Sequence, residues 1–199
     1  MKEIFYEESA KILNEKSALR KYYIFKTLSV LSYVLMCVWI FIIIIGFDFR
    51  VFNESLLVVV LSLLYYLFPL AFFIASGIIL GRVKNRFYVD YDYTFVSGSL
   101  RISKVIKNYK RKFLYKFDVS SIEQLGKIGS ETYQKYAASP GIKRDILTSN
   151  TEPADGKEFY YLVVNTDGGK KLLILECTEL FLVNILKFSS KSIVEKDLK

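Results

Sequence analysis

Two uncharged apolar runs, residues 27–47 and 55–80, constrain this chain more than any other feature. A helix of about 20 apolar residues matches the hydrocarbon thickness of a bilayer. In lipid the backbone must satisfy its own hydrogen bonds, so helix is the conformation expected of both runs. At about 1.5 Å per residue the second run is more than long enough, and it is expected to tilt or emerge at one end. Pro69 lies within it, removes one helical hydrogen bond and reads as a tolerated kink. The first run is too long and starts too late for a cleaved signal peptide, and no small-residue cleavage site follows it. Neither run carries Asp, Glu, Lys, Arg or His, so nothing points to a transport pathway.

The link between the runs, residues 48–54, is short, so the two spans must form an antiparallel hairpin with both outer ends on one side. Lys16, Arg20, Lys21 and Lys26 precede the first span, and Arg82, Lys84 and Arg86 follow the second. The link has only Arg50, beside Asp48 and Glu54. The positive-inside rule then puts both termini in the cytoplasm of a two-span cell-membrane protein. Gly77 and Gly81 form a GxxxG pair, and Ala71 and Ala75 repeat its spacing. Small residues let helix backbones approach closely, either within the hairpin or between copies in a homo-oligomer.

The remainder reads as a soluble protein. Of the net charge of +8, +6 falls from residue 84 onward. A basic domain beside a bilayer suggests attraction to anionic lipid headgroups; a soluble, charged surface is the plainer alternative. Nucleic acid, the other usual partner of basic surfaces, is not expected here. There is no histidine, which removes the commonest general base and metal ligand. Cys37 lies in the first apolar run and Cys177 in the soluble part, so no disulfide is expected, which fits a reducing compartment.

Residues 1–22 form a separate amino-terminal segment ahead of the hairpin, residues 23–83. Phe5, Ile12 and Leu19 recur every seven residues, which predicts a cytoplasmic helix over residues 2–22. Its other faces mix Lys2, Lys11 and Lys16 with Glu3, Glu7, Glu8 and Glu15. So many glutamates argue against a basic interfacial helix.

From residue 87 the pattern turns to short strands. Residues 87–96, rich in aromatic and β-branched residues, and residues 100–106, 112–119 and 122–128 read as four strands, with turn signals at Ser97-Gly98 and Lys107-Asn108. Alternation puts Phe113, Tyr115, Phe117 and Val119 on one face of the third strand. Residues 130–157 break the rhythm, with a short helix expected over 131–136. Such long loops tend to be functional or mobile. Residues 159–165 and 171–176 flank Asp167-Gly168-Gly169 as a second hairpin, and Thr178 can cap a helix running to about Ile193. Residues 195–199 read as a charged tail. The expected architecture is a transmembrane helix pair followed, over residues 84–194, by a small antiparallel sheet or barrel closed by a carboxy-terminal helix.

Residues 93–106, 113–125 and 159–188 resemble bacterial pleckstrin-homology-like (PH-like) domains, which often follow a pair of membrane spans. Over residues 22–190 the chain is also similar to a family of small two-span proteins from low-GC Gram-positive bacteria. The resemblance implies a fold and a location. It brings no catalytic residues, because that fold class is mainly used to bind lipids, peptides or partner proteins.

The sequence has no phosphate-binding glycine loop, CxxC, HExxH or GxSxG. Glu152, Asp155 and Glu158 lack the spacing of a calcium loop and read as a solvated surface. No enzyme activity, metal or cofactor is expected. The candidate binding residues are Arg101, Lys104, Lys107, Lys110, Arg111, Lys112 and Lys116, with no acid between Tyr93 and Phe117, together with Arg82, Lys84 and Arg86. In a hairpin the first group should gather at the tip and along one face, toward anionic lipid. The alternative is a solvated face whose lysines guard an edge strand. An unidentified membrane or cytoplasmic protein is the other expected partner.

Overall fold

The computed structural model describes residues 5–166, 168–189 and 193–194. The chain divides into two compact units. One holds Lys16–Tyr88, and the other joins the residues up to Glu15 to those from Val89 onward.

The first unit is built on helices α1 (Glu15–Gly46) and α2 (Leu56–Val83), joined through a 3-10 turn at Phe49–Asn53. The side-chain carboxylate of Asp48 caps that turn by accepting the Arg50 N–H at 2.9 Å. Both helices are long and apolar enough to cross a membrane. Their large apolar side chains are exposed on most sides, which leaves neither helix a polar face for water. What holds them together is sparse and specific. The Ser29 hydroxyl donates to the Gly77 carbonyl at 2.8 Å, and the Trp39 indole N–H donates to the Tyr66 carbonyl at 2.9 Å. Tyr66 in turn donates to the Gly46 carbonyl at 3.2 Å. A Cβ on Gly77 would stand 2.8 Å from the Tyr33 ring, and one on Gly81 would stand 3.3 Å from the Ser29 hydroxyl. The GxxxG pair therefore serves close packing inside this hairpin, whereas Ala71 and Ala75 are exposed. Pro69 sits within α2 and removes the donor to the Tyr65 carbonyl, yet the helix runs on through it.

In the second unit, sheet A has the order β1-β2-β3-β4, made of β1 (Phe5–Ala10), β2 (Val89–Val96), β3 (Ser99–Ile106) and β4 (Lys110–Asp118). Sheet B has the order β5-β7-β8-β6, made of β5 (Ile122–Lys127), β6 (Lys143–Ile146), β7 (Glu158–Thr166) and β8 (Gly169–Cys177). Helix α3 (Glu131–Ala137) lies in the long insertion, and α4 (Glu179–Leu186) follows β8. One core joins the inner faces of both sheets to α4, with Tyr93, Phe95, Leu100, Ile102, Leu162, Leu173 and Phe181 fully buried.

The amino-terminal segment differs from the expected helix. Residues 5–10 form β1, paired antiparallel with β2 from Phe5 opposite Val96 to Ala10 opposite Tyr91, and helix begins only at Glu15. Tertiary context overrides the seven-residue spacing. Strand β2 offers an open row of N–H and C=O groups, and a two-residue period puts Tyr6, Glu8 and Ala10 on the inner side. Tyr6 packs 5.7 Å from Phe181 and Ala10 is fully buried. Side chains then fix the strand. Glu8 accepts both the N–H and the hydroxyl of Thr178 at 2.9 Å and pairs with Lys157 at 3.2 Å. The second unit thus begins before the helical pair and not at residue 84. Expectations on residues 1–4 and 195–199 fall outside the described residues.

The insertion has a structural role. Helix α3, capped by the Ser130 hydroxyl accepting the Tyr133 N–H at 3.1 Å, covers the outer face of sheet B. There Tyr133 packs with Tyr161, Val163, Leu172 and Ile174. Strand β6 adds to β8 in parallel, which makes sheet B mixed and not purely antiparallel. Beyond β6 the chain is tied to Glu176, a fully buried carboxylate. Glu176 accepts hydrogen bonds from the Thr148 hydroxyl, the Asn150 amide at 2.8 and 3.0 Å, and the Ala154 N–H at 3.0 Å. Asn150 also donates to the Lys11 carbonyl at 2.8 Å and accepts the Leu13 N–H at 2.9 Å, so one side chain ties both the insertion and the amino-terminal segment to β8.

Helix α4 starts as expected, with the Thr178 hydroxyl accepting the Phe181 N–H, but it is shorter than expected. It ends at Leu186, and Ile193–Val194 lie beside β5, where Ile193 is buried and its carbonyl accepts the Leu125 N–H at 2.8 Å. Phe181, Leu182 and Ile185 supply its buried stripe, and Leu180 and Val183 stay exposed. Burial of each of the three stabilises the fold by up to about 1.5–3 kcal/mol.

Candidate functional site

The hairpin β3–β4 carries seven of the ten predicted cations, and its geometry follows from its turn and one register shift. The turn residues Lys107 and Asn108 have φ values of +53° and +54°, and the Tyr109 N–H donates to the Ile106 carbonyl at 3.1 Å. The strands pair again at Ile106 and Lys110, so the connection has three residues, Lys107, Asn108 and Tyr109. Asparagine tolerates that backbone, whereas for lysine it costs on the order of 1 kcal/mol. A non-glycine pair in this conformation is a strained point at the tip.

Arg101 lies opposite Lys116, and Lys104 lies opposite Lys112. Like charges facing each other across strands are destabilising, by roughly a few tenths of a kcal/mol per pair. The sheet gains nothing from collecting them. Arg111 is the exception, with its guanidinium 3.2 Å from the buried Asp92 carboxylate while the arginine side chain stays 69% exposed. Among the described residues, Arg101, Lys110, Lys112 and Lys116 form no ion pair.

The register shifts between Ile102 and Ser103: Ile102 pairs with Tyr115, and Ser103 with Phe113, leaving Leu114 as the extra residue of a β-bulge. A one-residue slip turns side chains to the other face. Tyr115 and Phe117 therefore face the core as expected, whereas Phe113 does not and is 59% exposed. The same bulge divides the cations. Arg101, Arg111 and Lys116 alternate onto the outer face of sheet A, and Lys104 and Lys112 onto the other, so the hairpin does not carry its charge along one face. Tyr109, at the tip, is 91% exposed.

Arg82, in the last turn of α2, and Lys84 and Arg86, in the 3-10 turn that follows, belong to the helical unit. There the Lys84 ammonium lies 5.8 Å from the Tyr22 ring centre, and Phe87 stacks on Phe25 at 4.8 Å. Within the sheet unit, the hairpin turn lies near the start of β2. Ile106, at the turn end of β3, pairs with Val89, the first residue of β2 and only three positions after Arg86. With strands about 4.8 Å apart, the basic tip lies within one or two strand spacings of the residue where the chain arrives from α2.

A model of the family described as a bacterial PH-like domain (DUF6106) matches residues 2–195. The chain belongs to this family. No curated protein and no solved structure matches it. The match spans β1 as well as β2–α4, in keeping with a PH-like unit whose first strand precedes the helical pair.

Three other titratable groups of the PH-like unit have defined surroundings. Tyr115 donates to the Asp145 carboxylate and lies under the Lys171 ammonium, 4.7 Å from its ring centre; burial first, then that hydrogen bond, push its hydroxyl up to about 12. Burial also pushes the Cys177 thiol well above its ordinary value, at the junction of β8 and α4 where a small apolar residue is needed. In the acidic stretch, Glu158 pairs with Lys127, which holds its carboxyl below the usual range. Among the described residues no cluster of carboxylates and thiols is arranged to hold a metal.

The sequence placed seven cations in this hairpin, but it did not single out the exposed rings of Tyr109 and Phe113. Tyr109 was legible as an aromatic residue next to a turn signal inside a basic run. Phe113 was not, because only the bulge exposes it.

Proposed function

We propose that this chain is a membrane-anchored, non-enzymatic interaction module that holds a basic PH-like unit against the cytoplasmic leaflet, where its β3–β4 hairpin contacts anionic lipid headgroups. The observation that carries the reading is the register of β2 with β3, which sets the basic turn next to Val89, just past the end of α2. Strand β1 precedes the helical pair and β2 follows it, and the two lie in one sheet. Two crossings return a chain to the side it left, so this pairing supports a transmembrane hairpin with both ends on one side. The flanking cations Arg82, Lys84 and Arg86 favour the cytoplasmic side.

Each basic residue near an anionic surface contributes about 1 kcal/mol, and the tether raises the effective concentration of weak contacts. Full-length protein in nanodiscs of neutral or anionic lipid tests this by hydrogen exchange. Residues 99–118 should exchange more slowly in anionic discs, and the difference should vanish near 1 M salt, where the screening length falls to about 3 Å. Equal exchange in the two lipids would sink the proposal.

The alternative is a subunit or homo-oligomer whose function lies in its transmembrane helices. The engagement of Gly77 and Gly81 with α1 favours the first reading, since it leaves only Ala71 and Ala75 as a small-residue pair for contact between copies.

A further inference from the structure

We infer that the tip of the β3–β4 hairpin is an aromatic wedge for the bilayer interface, with Tyr109 and Phe113 entering the headgroup layer while Lys110, Arg111 and Lys112 meet anionic phosphates around them. The inference rests on the lipid reading above and names the part of the hairpin that goes into the membrane. Guarding of an edge strand explains lysines along β4, which closes sheet A on that side. It does not explain why the two most exposed large apolar side chains of β4 and its turn, Tyr109 at 91% and Phe113 at 59%, stand among those lysines. A water-facing hairpin gains nothing from either ring. Nor is Phe113 exposed by default: the bulge at Leu114 turns it away from the core that its alternation with Tyr115 and Phe117 would otherwise give it.

Tyrosine, with one polar edge, is enriched at the headgroup level of membranes, phenylalanine beside it buries at the headgroup–acyl boundary, and neighbouring basic side chains pair with anionic lipid. The tip combines both chemistries within five positions, from Tyr109 to Phe113. The strained turn at Lys107-Asn108 holds this stretch at the extreme end of the sheet, and the pairing of Ile106 with Val89 puts that end beside the tether. A soluble acidic protein would satisfy the lysines equally well, but the short tether to α2 puts a bilayer within reach at all times.

Tyr109→Trp in the full chain supplies the probe, read as a difference spectrum against the parent, which keeps Trp39. The exposure of Tyr109 makes the substitution neutral for folding. In nanodiscs of anionic lipid the added emission should shift to the blue and be quenched when the acyl chains are brominated near the headgroup. Phe113→Trp should behave alike. Hydrogen exchange of residues 99–118 is followed on the same samples. Slowed exchange in anionic discs with an unshifted, unquenched probe would overturn the wedge and leave the electrostatic reading standing. Neither effect would remove both. Equal quenching in neutral discs would contradict the role given to the phosphates.

Discussion

At the residue scale, the soluble unit is fixed by a few buried polar side chains whose partners are distant in sequence. Asp90 is one. It is buried at the start of β2 and accepts the Ile12 N–H at 2.8 Å, yet burial dominates and raises its pKa above the ordinary value. A carboxyl whose folded pKa is raised adds stability that is complete below its unfolded pKa and is lost as pH rises through the folded one. Ionised Asp90 is therefore a cost at neutral pH. Asp90→Asn keeps an acceptor for Ile12, so the variant should gain thermal stability over the parent at pH 7, with the gain shrinking toward pH 4. A variant less stable than the parent at pH 7 would show that the charge is needed, with Lys11 as its nearby cation. None of this was legible beforehand. Asp90 and Asp92 sit in an aromatic run that reads as strand, and nothing local says which face meets Lys11 or Arg111.

At the scale of elements, periodicity located strands β2 to β5, β7, β8 and helix α3 to within a few residues, and the start but not the end of α4. It failed where pairing is non-local. Strand β1 lacks a hairpin partner, since Ala10 and its partner Tyr91 in β2 lie 81 positions apart (91 − 10). The four residues of β6 are too few to show a period. The Glu8–Lys157 pair latches β1, with side chains 8% and 17% exposed. Removing one partner of such a buried pair costs about 3 kcal/mol, because the other charge is left uncompensated. Glu8→Ala also releases Thr178, the cap of α4. It should lower unfolding stability by about that amount and speed hydrogen exchange in β1 before sheet B. A double-mutant cycle with Lys157→Met should show strong coupling, and additive effects would contradict the latch.

At the scale of the whole molecule, two kinds of sequence give the two units. The apolar runs become helices with no polar face. The soluble unit gathers its excess positive charge in a hairpin where like charges face each other at some cost to the sheet. The location of that charge was legible in the sequence; its division between two faces and its nearness to the tether were not, because they depend on one bulge and one register. The central claim is that the PH-like unit sits at the cytoplasmic face while the link between α1 and α2 lies outside. Single cysteines at Phe52 in the link and Tyr109 at the tip, both exposed positions, test it with a membrane-impermeant thiol reagent on intact bacteria. Measured against the parent with Cys37 and Cys177, position 52 should label in intact cells and position 109 only after permeabilisation. Labelling of position 109 in intact cells would contradict the account.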